Sequence, residues 1–148
     1  LGTFVYVEGR WLEWEVEELD INTLELAAMN IGTFTFMKYA ESVGVAVTHT
    51  YEFTDNTSAE HSVERGKPRA FGLSELIQRR YDALLLERVF GAAERIATED
   101  NDVADGLSRG GDQLADALRI PAALGYELLR LEPDPEWRDL SHLSTASA

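Results

Sequence analysis

The chain has 148 residues, enough for one domain with its own hydrophobic core. Hydrophobic residues make up 45% and aromatic residues 9%, which excludes a disordered tail. The net charge of −14 repels polyanions at long range, and the absence of cysteine excludes disulfides and thiolate metal sites. No apolar run approaches the length of a membrane span, so we expect an intracellular protein, in the cytoplasm or nucleus, without a membrane partner.

The first elements in chain order are strand-like. Residues 3–7 and 11–16 are rich in aromatic and β-branched side chains around a central Glu8-Gly9-Arg10, which predicts an antiparallel hairpin. The chain enters this run directly at Leu1 without a Met, so we expect it to be a segment of a longer polypeptide.

A helix over about residues 23–42 follows, with Asn22 as its cap and Glu25 at its third position. Residues 45–53 then alternate between apolar and more polar side chains, which predicts a strand that ends at Thr54-Asp55.

The second half alternates between helices and strands. The expected elements are a short helix at 57–65, an amphipathic helix at 73–89, a short strand at 93–98, a helix at 102–118 interrupted near Gly110-Gly111, and a final strand at 126–131. The proline-containing segment 132–148 is predicted to be a linker or tail, so the domain is expected to span residues 1–131. The fold class is therefore α/β.

The positive charge of the chain is concentrated in one region. Residues 65–95 contain seven basic and four acidic residues, a net charge of +3, whereas the remainder has −17. Within this region Arg65, Lys67 and Arg69 form a basic turn that can hold a phosphate backbone. A solvated turn explains the same residues equally well.

Three short strings each contain one acidic residue. They are LELAA at 24–28 with Glu25, TDN at 54–56 with Asp55, and NDVADGLSR at 101–109 with Asp105. Taken singly, each acid is also explained by solvation or by the favourable field at a helix start. Carboxylates that a fold does bring together repel one another unless metal ions lie between them, so such clusters are rarely purely structural.

These strings resemble those of the ribonuclease H domain in retroelement reverse transcriptases of the Ty3/gypsy or DIRS-like kind. The string at 101–109 is similar to the family's Asn-x-x-Ala-Asp-x-Leu-Ser-Arg, and the resemblance covers roughly residues 3–110. It implies a ribonuclease H-like fold, in which a mixed sheet with an antiparallel hairpin is followed by alternating helices and strands. It also implies that Glu25, Asp55 and Asp105 hold two Mg²⁺ ions, or Mn²⁺, and that Asp102 is not a ligand.

The same resemblance implies hydrolysis of the RNA strand in RNA–DNA hybrids. It further implies a reverse transcriptase domain upstream in the same polypeptide, and a hybrid-binding role for Asn56 together with Arg65, Lys67 and Arg69. The whole basic region 65–95, which includes Arg79 and Arg80, is then expected to face the backbone of the hybrid.

Two features depart from the family pattern. The family has a first catalytic Asp on its first strand, but no Asp precedes Asp20 here, so this strand either lies upstream or has lost its acid. The family also often has a His ahead of the last acid, and residues 95–100 contain none. Two alternatives therefore stay open, namely a non-catalytic ribonuclease H-like interaction module and an acidic protein-binding adaptor.

Overall fold

The computed structural model describes residues 2–54, 71–95 and 101–144, which form the α/β arrangement that the sequence predicts. The elements in chain order are β1 (Thr3–Val7), α1 (Glu13–Glu18), α2 (Ile21–Ser42), β2 (His49–Thr54), α3 (Phe71–Glu87), β3 (Phe90–Arg95), α4 (Asp102–Arg109), α5 (Gly111–Ala123), β4 (Glu127–Leu131), α6 (Pro135–Arg138) and a short 3-10 helix at Ser141–Leu143. The helix expected at 57–65 lies outside the described residues. Within the described ranges, no helix combines the length and apolarity needed to cross a bilayer.

The second half of the predicted hairpin is wrong, because residues 13–18 form helix α1. Trp11 and Trp14 are three residues apart, a spacing that puts side chains on opposite faces of a strand but on one side of a helical turn. Both tryptophans pack against the same apolar cluster. The Glu15 carboxylate accepts a hydrogen bond from the Leu12 backbone N–H at 2.7 Å, which satisfies a free donor at the helix start.

The strands described by the structure form two parallel pairs, not the expected mixed sheet with an antiparallel hairpin. β1 pairs with β4, from Thr3 opposite Glu127 to Val7 opposite Leu131. β2 pairs with β3, from His49 opposite Phe90 to Thr54 opposite Arg95. Parallel neighbours require a long crossover connection, and the segment between β2 and β3 contains α3.

The long helix α2 forms one wall of the core. Asp20 caps it by accepting a hydrogen bond from the Thr23 backbone N–H at 2.7 Å, so the predicted cap at Asn22 is wrong by two residues. Its buried residues are Thr23, Leu24, Leu26, Ala27, Asn30, Ile31, Thr33, Phe34 and Thr35. Leu73, Leu76 and Ile77 of α3 lie in the same apolar cluster as Leu26 and Ala27 of α2, so the two helices share one core.

Residues 132–144 belong to the packed domain, although the sequence predicts a linker from residue 132. Trp137 stacks on Phe34 with ring centroids 3.8 Å apart and an interplanar angle of 4°. Leu140 and Leu143 are buried in the cluster formed by α2 and α3. The domain therefore extends at least to residue 144.

Helices α4 and α5 form a tight hairpin at the predicted glycine pair. Gly110 and Gly111 both have positive φ values, 69° and 57°, which side chains with a Cβ rarely adopt. Gly106 permits the close approach of the two helices, since a Cβ there would lie 2.4 Å from the Ala117 Cβ and 2.8 Å from the Gln113 carbonyl oxygen. The break in the predicted helix at 102–118 is thereby confirmed.

Candidate metal centre

Glu25 is held near the start of α2 by the capped first turn. Because Asp20 caps the helix, Glu25 is the fifth helical residue and not the third. Its side chain is half-buried, beside the fully buried Leu24 and Leu26. A half-buried carboxylate in a rigid helix is suitable as a ligand for a hard cation.

Asp105 lies in the first turn of α4. Its backbone N–H donates to the Asn101 carbonyl at 2.9 Å, and its carboxylate lies 3.2 Å from the Arg109 guanidinium. The Ser108 hydroxyl donates to the Asp105 carbonyl at 2.7 Å. The Asp105 side chain retains 39% exposure, so one oxygen pairs with Arg109 while the carboxylate stays open to solvent.

The third expected ligand and the expected hybrid-binding residues lie outside the described residues. Asp55 and Asn56 directly follow Thr54, the last residue of β2. Arg65, Lys67 and Arg69 precede Phe71, the first residue of α3. Only their order in the sequence relates these residues to Thr54 and Phe71.

β2 and β3 end at the same edge of their sheet. They are parallel, and Thr54 is opposite Arg95 at the carboxyl end of the pair. The chain continues from this edge to Asp55 on one strand and, through residues 96–100, to α4 on the other. The carboxyl ends of adjacent parallel strands are a common place for ligand-binding groups.

Helix α2 runs antiparallel to β2, so its start lies toward the same edge. The Thr33 hydroxyl donates to the Glu52 carboxylate, and only residues 43–48 connect the end of α2 to the start of β2. The residues before Thr33 therefore extend in the direction in which β2 continues after Glu52. Glu25 lies in that first half of α2.

Helix α3 starts at this edge as well, because it is parallel to α2. Near the two helix starts, a Cβ on Gly72 would lie 3.1 Å from the Thr23 Cγ2. Further along, the Asn30 amide donates to the Leu76 carbonyl at 3.3 Å. The start of α3 therefore lies toward the edge where β2 and β3 end.

A buried polar network connects these three elements behind the edge. The Arg80 side chain is 1% exposed, and its Nη1 donates to Asn30 Oδ1 at 3.0 Å and to Thr33 Oγ1 at 3.2 Å. Its Nη2 forms an ion pair with Glu52. Burial lowers the pKa of Arg80 below its usual value, and the attraction and hydrogen bond of the Glu52 carboxylate oppose this effect.

The faces of β2 are the reverse of what its apolar alternation predicts. Tyr51 and Phe53 are 66% and 54% exposed, while Glu52 lies against the helices. The physical reason is the buried guanidinium of Arg80, which requires an anionic partner on the inner face. The apolar alternation of β2 could not reveal the inward position of Glu52, because its partner Arg80 lies 28 residues away in the sequence.

The region 65–95 was expected to face nucleic acid as a whole, but two of its basic residues, Arg79 and Arg80, make contacts within the domain. Arg80 is buried, and the Arg79 guanidinium lies 4.1 Å from the centroid of the Trp137 ring. Arg79 also donates to the Glu136 carbonyl at 3.0 Å. These two cations hold the domain together, and the binding role stays a prediction for Arg65, Lys67 and Arg69.

Within residues 2–54, 71–95 and 101–144, no group of three or more His, Asp or Glu side chains is arranged to hold a metal ion. Asp55, the third expected ligand, is outside these ranges. Glu25 and Asp105 are the two expected ligands that the structure describes, and both offer the carboxylate oxygens that Mg²⁺ prefers.

Comparisons with known proteins found no matching family model, no matching curated protein and no matching solved structure. The candidate centre is therefore supported by its own residues, by the direction in which the described elements run and by the motif resemblance.

Proposed function

We propose that this chain is a ribonuclease H-like domain that hydrolyses the RNA strand of RNA–DNA hybrids. Glu25, Asp55 and Asp105 hold two divalent ions, Mg²⁺ or Mn²⁺. When bound, such ions activate water and stabilise the leaving oxygen of a phosphodiester. The upstream partner is a reverse transcriptase domain of the same polypeptide.

The observation that carries this proposal is the direction of α2, which contains Glu25, and of β2, which leads into Asp55. Glu25 lies in the first half of α2, which points toward the edge where β2 and β3 end. Asp55 is the residue after β2, and Asp105 is in the helix that follows β3. Glu25 and Asp55 thus belong to chain segments that run toward one edge of the sheet, and Asp105 follows β3 in sequence after residues 96–100.

The carboxylates, Arg109 and the basic turn have different roles in this proposal. The carboxylates supply negative charge that neutralises the ions, and Arg109 holds one oxygen of Asp105 in place. Arg65, Lys67, Arg69 and Asn56 contact the hybrid, where basic side chains offset the repulsion expected from a net charge of −14.

The test is a cleavage assay on an RNA–DNA hybrid in Mg²⁺ or Mn²⁺ with a pair of variants in one helix. Asp105→Asn removes an expected ligand, whereas Asp102→Asn removes the neighbouring acid that the motif register excludes. We expect Asp105→Asn and Asp55→Asn to abolish cleavage and Asp102→Asn to retain it. Cleavage that survives Asp55→Asn, or an equal loss in both variants of the pair, contradicts the site.

A non-catalytic ribonuclease H-like interaction module is the second candidate, favoured by the absence of His from residues 95–100. The two candidates differ in the full-length polypeptide. The nuclease requires a strand with an Asp shortly before Leu1, and the module does not. A full-length protein without such an Asp, and without cleavage in either metal, supports the module.

A further inference from the structure

We infer that Arg80 is a positioning residue for the proposed metal centre, because its buried network sets the register between α2, which contains Glu25, and β2, which leads into Asp55. The inference rests on the proposed function for its catalytic meaning, but the positioning itself is measurable without metal or substrate. Arg80 is not one of the expected ligands, and it lies far from the three carboxylates in sequence.

The branching of the guanidinium is what suits Arg80 to this role. Nη1 binds Asn30 and Thr33 on α2, while Nη2 binds Glu52 on β2. Asn30 is itself fixed by its hydrogen bond to the Leu76 carbonyl of α3. One planar group therefore ties a helix and a strand to a second helix, with directional bonds that an apolar contact lacks.

Stability alone does not explain a buried ion pair at this position. Apolar side chains of similar volume often replace such pairs with no loss or with a gain in stability, because two charges lose their hydration on burial. What the pair provides that apolar packing does not is a single allowed register. If β2 shifted by one residue, Glu52 would turn to the opposite face and leave Arg80 unpaired.

The network is close enough to the proposed ligands for such a shift to matter. Thr33 lies eight residues after Glu25, about 12 Å along a helix at 1.5 Å per residue. Glu52 lies two residues before Thr54, the last residue of β2, which is about 7 Å along a strand at 3.3 Å per residue, and Asp55 is the next residue in sequence. A slip of one strand residue, roughly 3 Å, exceeds the error of about 0.5 Å within which the side chains of a functional site must be held.

The test measures the distance between positions 25 and 55 in variants of matched stability. The chain contains no cysteine, so Glu25→Cys and Asp55→Cys accept a pair of spin labels without other changes. One background replaces the network pair by apolar residues, Arg80→Met with Glu52→Leu. The control background does the same to a second ion pair with a buried carboxylate, Glu15→Leu with Arg138→Met, in which Arg138 donates to Glu15 at 2.7 Å. A local control, Thr50→Val, removes a buried hydroxyl that has no hydrogen-bond partner among the described residues.

We expect the distance distribution to broaden or to shift by about 3 Å in the Arg80→Met, Glu52→Leu background, the rise per residue of a strand. The Glu15→Leu, Arg138→Met background and Thr50→Val should retain the parent distribution. An unchanged distribution in the first background overturns the inference, and so does equal broadening in the first and the control backgrounds.

The assay separates this inference from the proposed function. A polypeptide that includes the upstream strand with its Asp and never cleaves hybrids contradicts the nuclease, while the distance comparison tests the positioning independently of cleavage. If the parent cleaves, the Arg80→Met, Glu52→Leu variant should need at least tenfold more Mn²⁺ for half-maximal cleavage than the Glu15→Leu, Arg138→Met control. An equal Mn²⁺ requirement in both variants counts against positioning.

Discussion

Arg138 binds both carboxylate oxygens of Glu15, with its Nη1 2.7 Å from Oε2 and its Nη2 2.8 Å from Oε1. The Glu15 side chain is 1% exposed, and the Arg138 guanidinium also lies 5.1 Å from the centroid of the Trp11 ring. This bidentate pair joins α1 to α6 across 123 residues of sequence. The first and last described helices are thereby fixed to one another.

The Glu15–Arg138 pair predicts a pH dependence of stability. Burial would raise the pKa of Glu15, but the hydrogen bonds from Arg138 and the Leu12 backbone, with the charge of Arg138, outweigh it and lower the pKa. Because the pKa of Glu15 is lower in the folded protein, its charged carboxylate stabilises the fold fully above the pKa of the unfolded chain, about 4.3. This stabilisation is lost as the pH falls through the pKa of the folded protein.

We therefore expect Glu15→Gln to reduce the free energy of unfolding by roughly 1.5–3 kcal/mol above about pH 5.5. The difference from the parent should shrink as the pH falls below about 4.3. Urea unfolding at a series of pH values measures it. A difference that stays constant down to pH 2.5 would show that the carboxylate charge is not the cause.

The stacked pair of Trp137 and Phe34 predicts that the C-terminal segment is essential to the fold. Trp137 is 8% exposed and packs in the cluster with Ile31 and Leu84. Trp137→Ala should lower the free energy of unfolding by about 3–5 kcal/mol, the usual cost of a large aromatic cavity. Leu124→Ala, at a side chain that is 62% exposed, is the control and should change it by less than about 0.5 kcal/mol. If thermal unfolding gave equal effects for Trp137→Ala and Leu124→Ala, residues 132–144 would be a linker and not part of the packed domain.

Gly106 predicts a sensitive position inside the most informative motif. A Cβ there meets Ala117 and the Gln113 carbonyl, so Gly106→Ala must push α4 and α5 apart. We expect a loss of about 1–3 kcal/mol, as for other overpacked contacts, together with displacement of Asp105. Ala104→Ser, at an exposed position of the same helix, should be neutral within about 0.5 kcal/mol. Unfolding curves that coincide for both variants would contradict the close contact.

The helices α2 and α3 and the break at Gly110-Gly111 could be predicted because their signals are local. Helical periodicity and glycine pairs act over a few residues, and the observed bounds differ from the expected ones by one or two residues at most. A strand at residues 11–16 could not be excluded from the sequence, since the positions of Trp11 and Trp14 are compatible both with the alternation of a strand and with a helical turn. Only the contact of both side chains with one cluster decides between them.

The acids of the candidate site rest on motif strings, whereas the buried network behind them could not be predicted. The structure places Glu25 and Asp105 in helices as expected, and their role as ligands stays a prediction. Arg80 was expected to face nucleic acid, because a basic residue is normally exposed. Its burial depends on Glu52, Asn30 and Thr33, and no short segment of sequence contains that group.

The most direct test of the central claim is to locate a bound metal ion by cutting the chain with it. Fe²⁺ substituted for Mg²⁺ generates hydroxyl radicals with ascorbate and peroxide, and these cut the backbone near the bound ion. Mass spectrometry of the fragments then gives the positions. We predict cuts around residues 25, 55 and 105 together, suppressed by excess Mg²⁺ and by Asp105→Asn but not by Asp102→Asn. Cuts at only one of these regions, or a pattern that survives Asp105→Asn, would contradict a shared metal centre.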